Sequence, residues 1–248
     1  YSTYVRFRDD FQIDSKTYVD KQRMIKTPEE IGKITKATEI AQKSFLQLDI
    51  LNNSCSEKEV AFDLVRYMIE NGASKESFDT IVASGENSSK PHAVPSNRKI
   101  QEHDIITIDM GCKVNGYCSD MTRTFFVGEP TEEMKRVYDL VLSNQEFALD
   151  QYKEGASTRQ VTKMVENDFK LNGYDLIHSL GHGVGLEIHE PPYVGIRYDS
   201  TLRENMVVTD EPGIYIPGFG GVRIEDMVVA TADGCINLTH SPKELIIL

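Results

Sequence analysis

Apolar residues return at helical spacing along several stretches of this chain. The first reads TPEEIGKITKATEIAQKSFLQL, with Ile31, Ile34, Ala37, Ala41, Phe45 and Leu48 along one face. Thr27 is an N-cap, Pro28 takes the first helical position, and Glu30 completes a capping box. SEKEVAFDLVRYMIENG predicts a second helix, opening at Ser56 and stopping at Gly72. Strand-like runs follow over residues 80–83, 105–108 and 117–127. The order then recurs. Thr131 opens a helix with Met134, Val137, Tyr138 and Val141 on one face, and STRQVTKMVENDFKLNG opens another at Ser157, ending at Gly173. Strands are expected again over 207–209, 213–216 and 222–230. Residues 1–25 carry no sustained period and read as an N-terminal tail or linker, the end of a further domain; residues 26–248 read as one domain.

The recurrence extends to particular residues. Ser56, Glu59, Val60 and Asn71-Gly72 match Ser157, Gln160, Val161 and Asn172-Gly173 at one constant offset. IDMG around Asp109 lies opposite DEPG around Glu211. GYCSDM lies opposite GVRIEDM, so that Asp120 matches Glu225. His92 precedes the first pair of carboxylates and His189 the second. Two related halves of about 100 residues, packed with pseudo-twofold symmetry, fit the usual size of a domain.

A carboxylate in a core-like strand is costly unless it is paired, hydrogen-bonded or on a metal. Asp109 and Asp120 taken singly could be polar residues at strand ends. Facing Glu211 and Glu225 across a symmetry axis, they would repel one another and hold protons, and divalent cations would remove that conflict. HSLGHGVGLEIHEPP adds His178, His182 and His189, three of the six histidines in the chain. His182 lies between two glycines, where close backbone approach is cheap, and imidazole ligates several transition metals. GHGVG lacks the lysine and hydroxyl of a phosphate loop. Arg223 shares a strand face with Glu225; it reads equally as a structural ion pair or as a cation for a substrate carboxylate.

Composition narrows the classes. The net charge of −12 excludes a protein that tracks nucleic-acid phosphates. No apolar run approaches a membrane span. Cys55, Cys112, Cys118 and Cys235 have no disulfide-framework spacing, so a reducing, cytoplasmic setting is expected.

The motifs IDMGCKVNGYCSDMTRTF, GHGVGLEIHE, EPGIY and GVRIED, in this order from Ile25 to the C-terminus, resemble those of the pita-bread metallopeptidases. That family includes methionine aminopeptidase, aminopeptidase P, prolidase and creatinase. The resemblance implies an α+β pita-bread fold: two pseudo-symmetric halves of helices packed on a curved antiparallel sheet. It implies two divalent metal ions, with Asp109 on one, His182 and Glu211 on the other, and Asp120 and Glu225 bridging. The oxygen-rich set favours Mn(II), with Co(II), Fe(II) and Zn(II) as further candidates. Arg223 two residues before Glu225, the short gap from Glu211, and the PHA of KPHAVPSNRKI are similar to the Xaa-Pro peptidases rather than to methionine aminopeptidases. By that resemblance His92, His178 and His189 line the substrate site, while Tyr215 and Arg223 support the metals or the substrate. Glu211 would take a proton from water, and His189 with His92 would stabilise the oxyanion. The implied partners are peptides with proline at the second position. Such proteins usually carry an N-terminal domain that shapes the entrance and often a homodimer. Methionine aminopeptidase activity and a catalytically silent peptide- or protein-binding module are the rival readings.

Overall fold

The computed structural model describes residues 18–50 and 55–248; of the tail or linker expected over 1–25, residues 1–17 lie outside the described residues. A helix that the apolar pattern does not announce comes first, α1 (Tyr18–Met24). It is followed by α2 (Pro28–Phe45) and α3 (Glu57–Glu70). The expected capping box forms, the Glu30 carboxylate accepting from the Thr27 N–H at 2.8 Å, and a second forms at Ser56, whose N–H donates to Glu59 at 2.7 Å. Gly72, at φ 110°, turns the chain out of α3. α2 stops at Phe45, where Leu46 caps it, so Leu48 packs against the core from the following turn rather than from the helix.

The first half continues with β1 (Lys75–Glu76), β2 (Ile81–Ser84), β3 (Ile105–Met110), β4 (Cys112–Val114), β5 (Tyr117–Cys118) and β6 (Met121–Phe126). The second half opens with α4 (Glu132–Gln151) and α5 (Thr158–Leu171), capped by Thr131 and Ser157. β7 (Gly181–Gly183), β8 (Glu190–Val194), β9 (Val207–Asp210), β10 (Gly213–Ile216), β11 (Gly220–Arg223), β12 (Asp226–Ala230), β13 (Cys235–Asn237) and β14 (Ile246–Ile247) complete it. β2, β3 and β6 lie side by side and antiparallel, as do β7, β9 and β12. A hairpin, β4–β5 or β10–β11, interrupts each trio before its last strand. Each sheet has its own helical cover. Ala37, Ala41, Leu64 and Met68 pack on Val82, Ile106 and Ile108; Val137, Val141, Val165 and Phe169 pack among Val208, Ile214 and Val228. The expected α+β arrangement of two related halves is therefore present. β14 is the exception to its antiparallel rule, returning to lie parallel to β6.

The strands expected over 117–127 and 222–230 are each broken, at Ser119-Asp120 and at Ile224-Glu225. In the first, the chain passes close to Gly111, where an added Cβ would sit 1.9 Å from the Ser119 carbonyl oxygen. The main chain is held there by Ser119 N–H on the Cys112 carbonyl at 2.9 Å. Both breaks fall where a carboxylate was expected.

The halves join at an isolated bridge between Thr122 and Glu225. Buried threonines extend it. The Thr124 hydroxyl donates to the Arg223 carbonyl at 2.9 Å and accepts from its N–H at 3.2 Å, and Thr107 donates to the Gly221 carbonyl at 3.1 Å. Thr124→Val keeps the shape and strands a buried N–H and C=O. We expect a loss of about 2–4 kcal/mol in urea unfolding, with Thr124→Ser nearer the parent; equal midpoints for all three proteins would contradict the role given to this hydroxyl.

Candidate active site

Asp109 is the fifth residue of β3, opposite Ile81 on one side and Thr122 on the other. Asp120 and Glu225 occupy the matching strand breaks, and Glu211 follows β9, its N–H on the Leu180 carbonyl at 2.8 Å. His182 is the middle residue of β7. Its flanking glycines allow that strand to press against its neighbours: a Cβ on Gly181 would lie 2.1 Å from the Thr209 carbonyl oxygen, and one on Gly183 2.5 Å from that of Glu190.

These side chains converge. His182 Nε2 lies 3.4 Å from Asp120 Oδ2 and 3.3 Å from Glu211 Oε1. Its Nδ1 faces the Gly183 carbonyl at 3.1 Å. A carbonyl only accepts, so Nδ1 carries the hydrogen and Nε2 turns a lone pair towards two carboxylates. That contact is repulsive unless a cation or proton sits between. Asp109 and Asp120 each keep a buried Oδ1 with no hydrogen-bond partner. Donor atoms of Asp120, His182 and Glu225 lie within 4.8 Å of one another. Burial, then the neighbouring carboxylates, push Asp120 and Glu225 well above their ordinary values of 3.8 and 4.5. Burial also raises Asp109, against the Arg223 guanidinium.

The other expected residues surround this cluster. Arg223 donates to Asp109 Oδ2 at 2.7 Å, to the Thr122 hydroxyl at 3.1 Å and to the Tyr215 hydroxyl at 2.7 Å. Both readings of Arg223 thus keep support: it is a buried ion pair, and it also lines the cavity. His178 Nδ1 faces the Ser179 carbonyl at 2.7 Å, so its Nε2 accepts from Tyr215 O–H at 3.0 Å. Burial lowers the His178 pKa and keeps this ring neutral. With both nitrogens engaged, His178 shapes the wall and has no free N–H. His189 stands edge-on to His182, ring centres 4.3 Å apart. Desolvation and the His182 ring lower its pKa. His92 enters from the first half. All of these except Tyr215, which stands behind His178 and Arg223, line a cavity of about 500 Å³, within the range of small-ligand sites.

The sequence profile of Metallopeptidase family M24 matches residues 32–232. The chain belongs to this family. It is 46% identical over 228 residues to the Xaa-Pro dipeptidase of Pyrococcus furiosus, an alignment covering 90% of this chain and 65% of that protein. It superposes on the Xaa-Pro dipeptidase from Bacillus anthracis with a TM-score of 0.93 at 42% identity, covering all of this chain and 72% of that one. For the X-Pro aminopeptidase from Thermotoga maritima the TM-score is 0.90 at 39% identity, with 100% and 72% covered. The pita-bread fold is thereby established. The chain spans about two thirds of the length of the curated relatives it matches.

Divalent metal ions are the cofactors of M24 metallopeptidases, and the residues fit such ions. Two buried, unpartnered carboxylate oxygens and one imidazole lone pair face the same space. His182 donates its other nitrogen to a main-chain carbonyl, the usual orientation of a metal-ligating histidine.

Several contributors escape the motif reading. Thr122 donates to Glu225 Oε2 at 2.7 Å, and Thr209 to Glu211 Oε1 at 3.1 Å. In sequence both are ordinary strand threonines. Phe78, Asp79, Tyr193 and Tyr198 also line the cavity. Tyr193 follows HEPP closely, a local cue; the others come from segments without a motif.

The raised carboxylates fix a sign. Without metal, the folded state binds more protons than the unfolded chain from about the ordinary carboxylate pKa upwards, so this cluster's contribution to stability falls as pH rises. Metal binds the deprotonated ligands and gains with pH. The melting-temperature difference between metal-loaded and metal-free protein is expected to widen from pH 5 to pH 8. A difference independent of pH would contradict the clustered-carboxylate account.

Proposed function

We propose that this chain is the catalytic part of a metal-dependent exopeptidase that hydrolyses the bond between a first residue and a following proline. The observation that carries the proposal is the cluster itself: carboxylates of both halves meet the lone pair of His182 at the wall of a peptide-sized cavity. The names of the relatives support Xaa-Pro peptides as substrates. Asp109, Asp120, His182, Glu211 and Glu225 would hold two divalent ions, Mn(II) by the oxygen-rich donor set. Such ions, when bound, polarise a carbonyl and lower the pKa of water.

The protein groups divide the remaining work. Glu211, oriented by Thr209, takes the proton of the attacking water and passes it to the departing proline nitrogen. That nitrogen belongs to a tertiary amide without N–H, so the site recognises ring shape and carbonyl position. His189, neutral and without a hydrogen-bond partner on its ring nitrogens among the described residues, offers an N–H to the developing oxyanion; His92 does so from the opposite half. Arg223 holds Asp109 and, through Tyr215, holds His178 in the wall. The free thiols of Cys55, Cys112, Cys118 and Cys235 support a reducing, cytoplasmic setting.

Mn(II)-loaded protein offered Xaa-Pro, Xaa-Pro-Yaa and Met-Ala-Yaa peptides is expected to release proline from the first, read by chromatography. Glu211→Gln is expected to lower kcat by about 10²-fold or more. Cleavage of Met-Ala-Yaa alone would replace this reading with methionine aminopeptidase activity, and metal binding without any cleavage would favour a binding module.

A further inference from the structure

Arg123 lies on β6 between Thr122 and Thr124, and its side chain is 1% exposed. All five of its N–H donors are used. Nε donates to the Pro242 carbonyl at 2.9 Å; one terminal nitrogen donates to the Thr122 carbonyl at 2.9 Å and the Glu225 carbonyl at 2.6 Å. The other donates to the Ser241 carbonyl at 2.7 Å and to Asp226 Oδ1 at 2.8 Å. Asp226 follows Glu225 and, by strand alternation, points away from the cavity. There its Oδ2 accepts from Gln145 at 3.1 Å, Asn237 at 2.8 Å and Lys243 at 3.3 Å.

Glu225 is thus held from several directions by two neighbours in the other half. Its N–H reaches the Thr122 carbonyl at 3.1 Å, its carboxylate accepts from the Thr122 hydroxyl, and its carbonyl accepts from Arg123. The site's geometry depends on the spacing of Thr122 and Glu225 across the seam, and a single guanidinium accepts no looser arrangement without losing a buried hydrogen bond. We infer that Arg123 is a positioning residue for the metal centre: with Asp226 it clamps the two halves from behind, so that Glu225 is presented to the metals in a fixed place. This rests on the ligand assignment proposed above. Lysine cannot substitute. An ammonium keeps the charge opposite Asp226 but lacks the planar fork that reaches both carbonyls.

The test compares the parent with Arg123→Lys, Lys243→Met and Glu225→Gln in the whole chain. The readouts are Mn(II) affinity by equilibrium dialysis, melting of the metal-free protein, and kcat and KM. Arg123→Lys is expected to weaken Mn(II) binding about tenfold or more, as loss of an outer-sphere support does, and to lower kcat more than it changes KM. Lys243→Met, which removes a contact to Asp226 but none to the seam, is expected to stay within about twofold of the parent. A merely structural role would lower metal-free melting and leave the Mn(II) affinity of the folded protein unchanged; that result, or parental affinity and turnover in Arg123→Lys, overturns the inference. Where Arg123→Lys does not fold, Asp226→Asn, which keeps the side-chain shape and removes the ionic hold, is judged by the same criteria. Glu225→Gln with undiminished Mn(II) binding would instead overturn the ligand assignment.

Discussion

The lone pair on His182 Nε2 is the constraint around which this molecule is organised. The Gly183 carbonyl fixes the tautomer, and Asp120 and Glu211 then face the bare nitrogen. Two carboxylate oxygens nearby, on Asp109 and Asp120, have no hydrogen-bond partner in the interior. Desolvation and mutual repulsion act in the same direction on Asp120 and Glu225. A cation reverses both effects together, and the donor set fits the divalent ions that are the family's cofactors.

The duplicated architecture is what brings the groups to one place. In each half a carboxylate sits in or just past the end of the middle strand and another in the break before the last strand, so facing the halves doubles the set. The breaks matter because a residue in a continuous ladder would be committed to one face. The seam that aligns them uses few main-chain bonds. Threonine hydroxyls replace the ladder, and behind them the guanidinium of Arg123 spans from Thr122 to Glu225. Apolar packing also crosses the seam: Ile105 and Phe126 join the core of the second half, and Ile34, Tyr117 and Cys118 pack with Val207, Met227 and Val229. Polar contacts, directional and intolerant of slippage, add register to that packing where the chemistry is.

Much of this is legible in the sequence because it is local. Thr27 with Glu30 and Ser56 with Glu59 announce helix starts through bonds spanning three residues. The repetition of carboxylates around IDMG, DEPG, GYCSDM and GVRIEDM announces the two halves, and the glycines beside His182 announce a close approach. What escapes is long-range. Thr122 and Thr209 look like β-branched strand residues until their hydroxyls meet Glu225 and Glu211. Arg123 looks like a solvated charge until the chain from Pro242 and Ser241 folds over it. The close approach of Ser119 to Gly111 across a hairpin is recorded by no periodicity. α1 lacks an apolar stripe because ion pairs help to anchor its end: Arg23 and the following Lys26 both reach Glu190.

The central claim is that the two halves share one pair of divalent ions through Asp120 and Glu225. Electron paramagnetic resonance of the protein loaded with Mn(II) addresses it directly, because ions joined by common carboxylates are close enough to couple, at about 3.5–4 Å. The account predicts a spin-coupled spectrum that collapses to isolated-ion signals, or to free Mn(II), in Glu225→Gln. Uncoupled signals in the parent protein under saturating Mn(II) would contradict it.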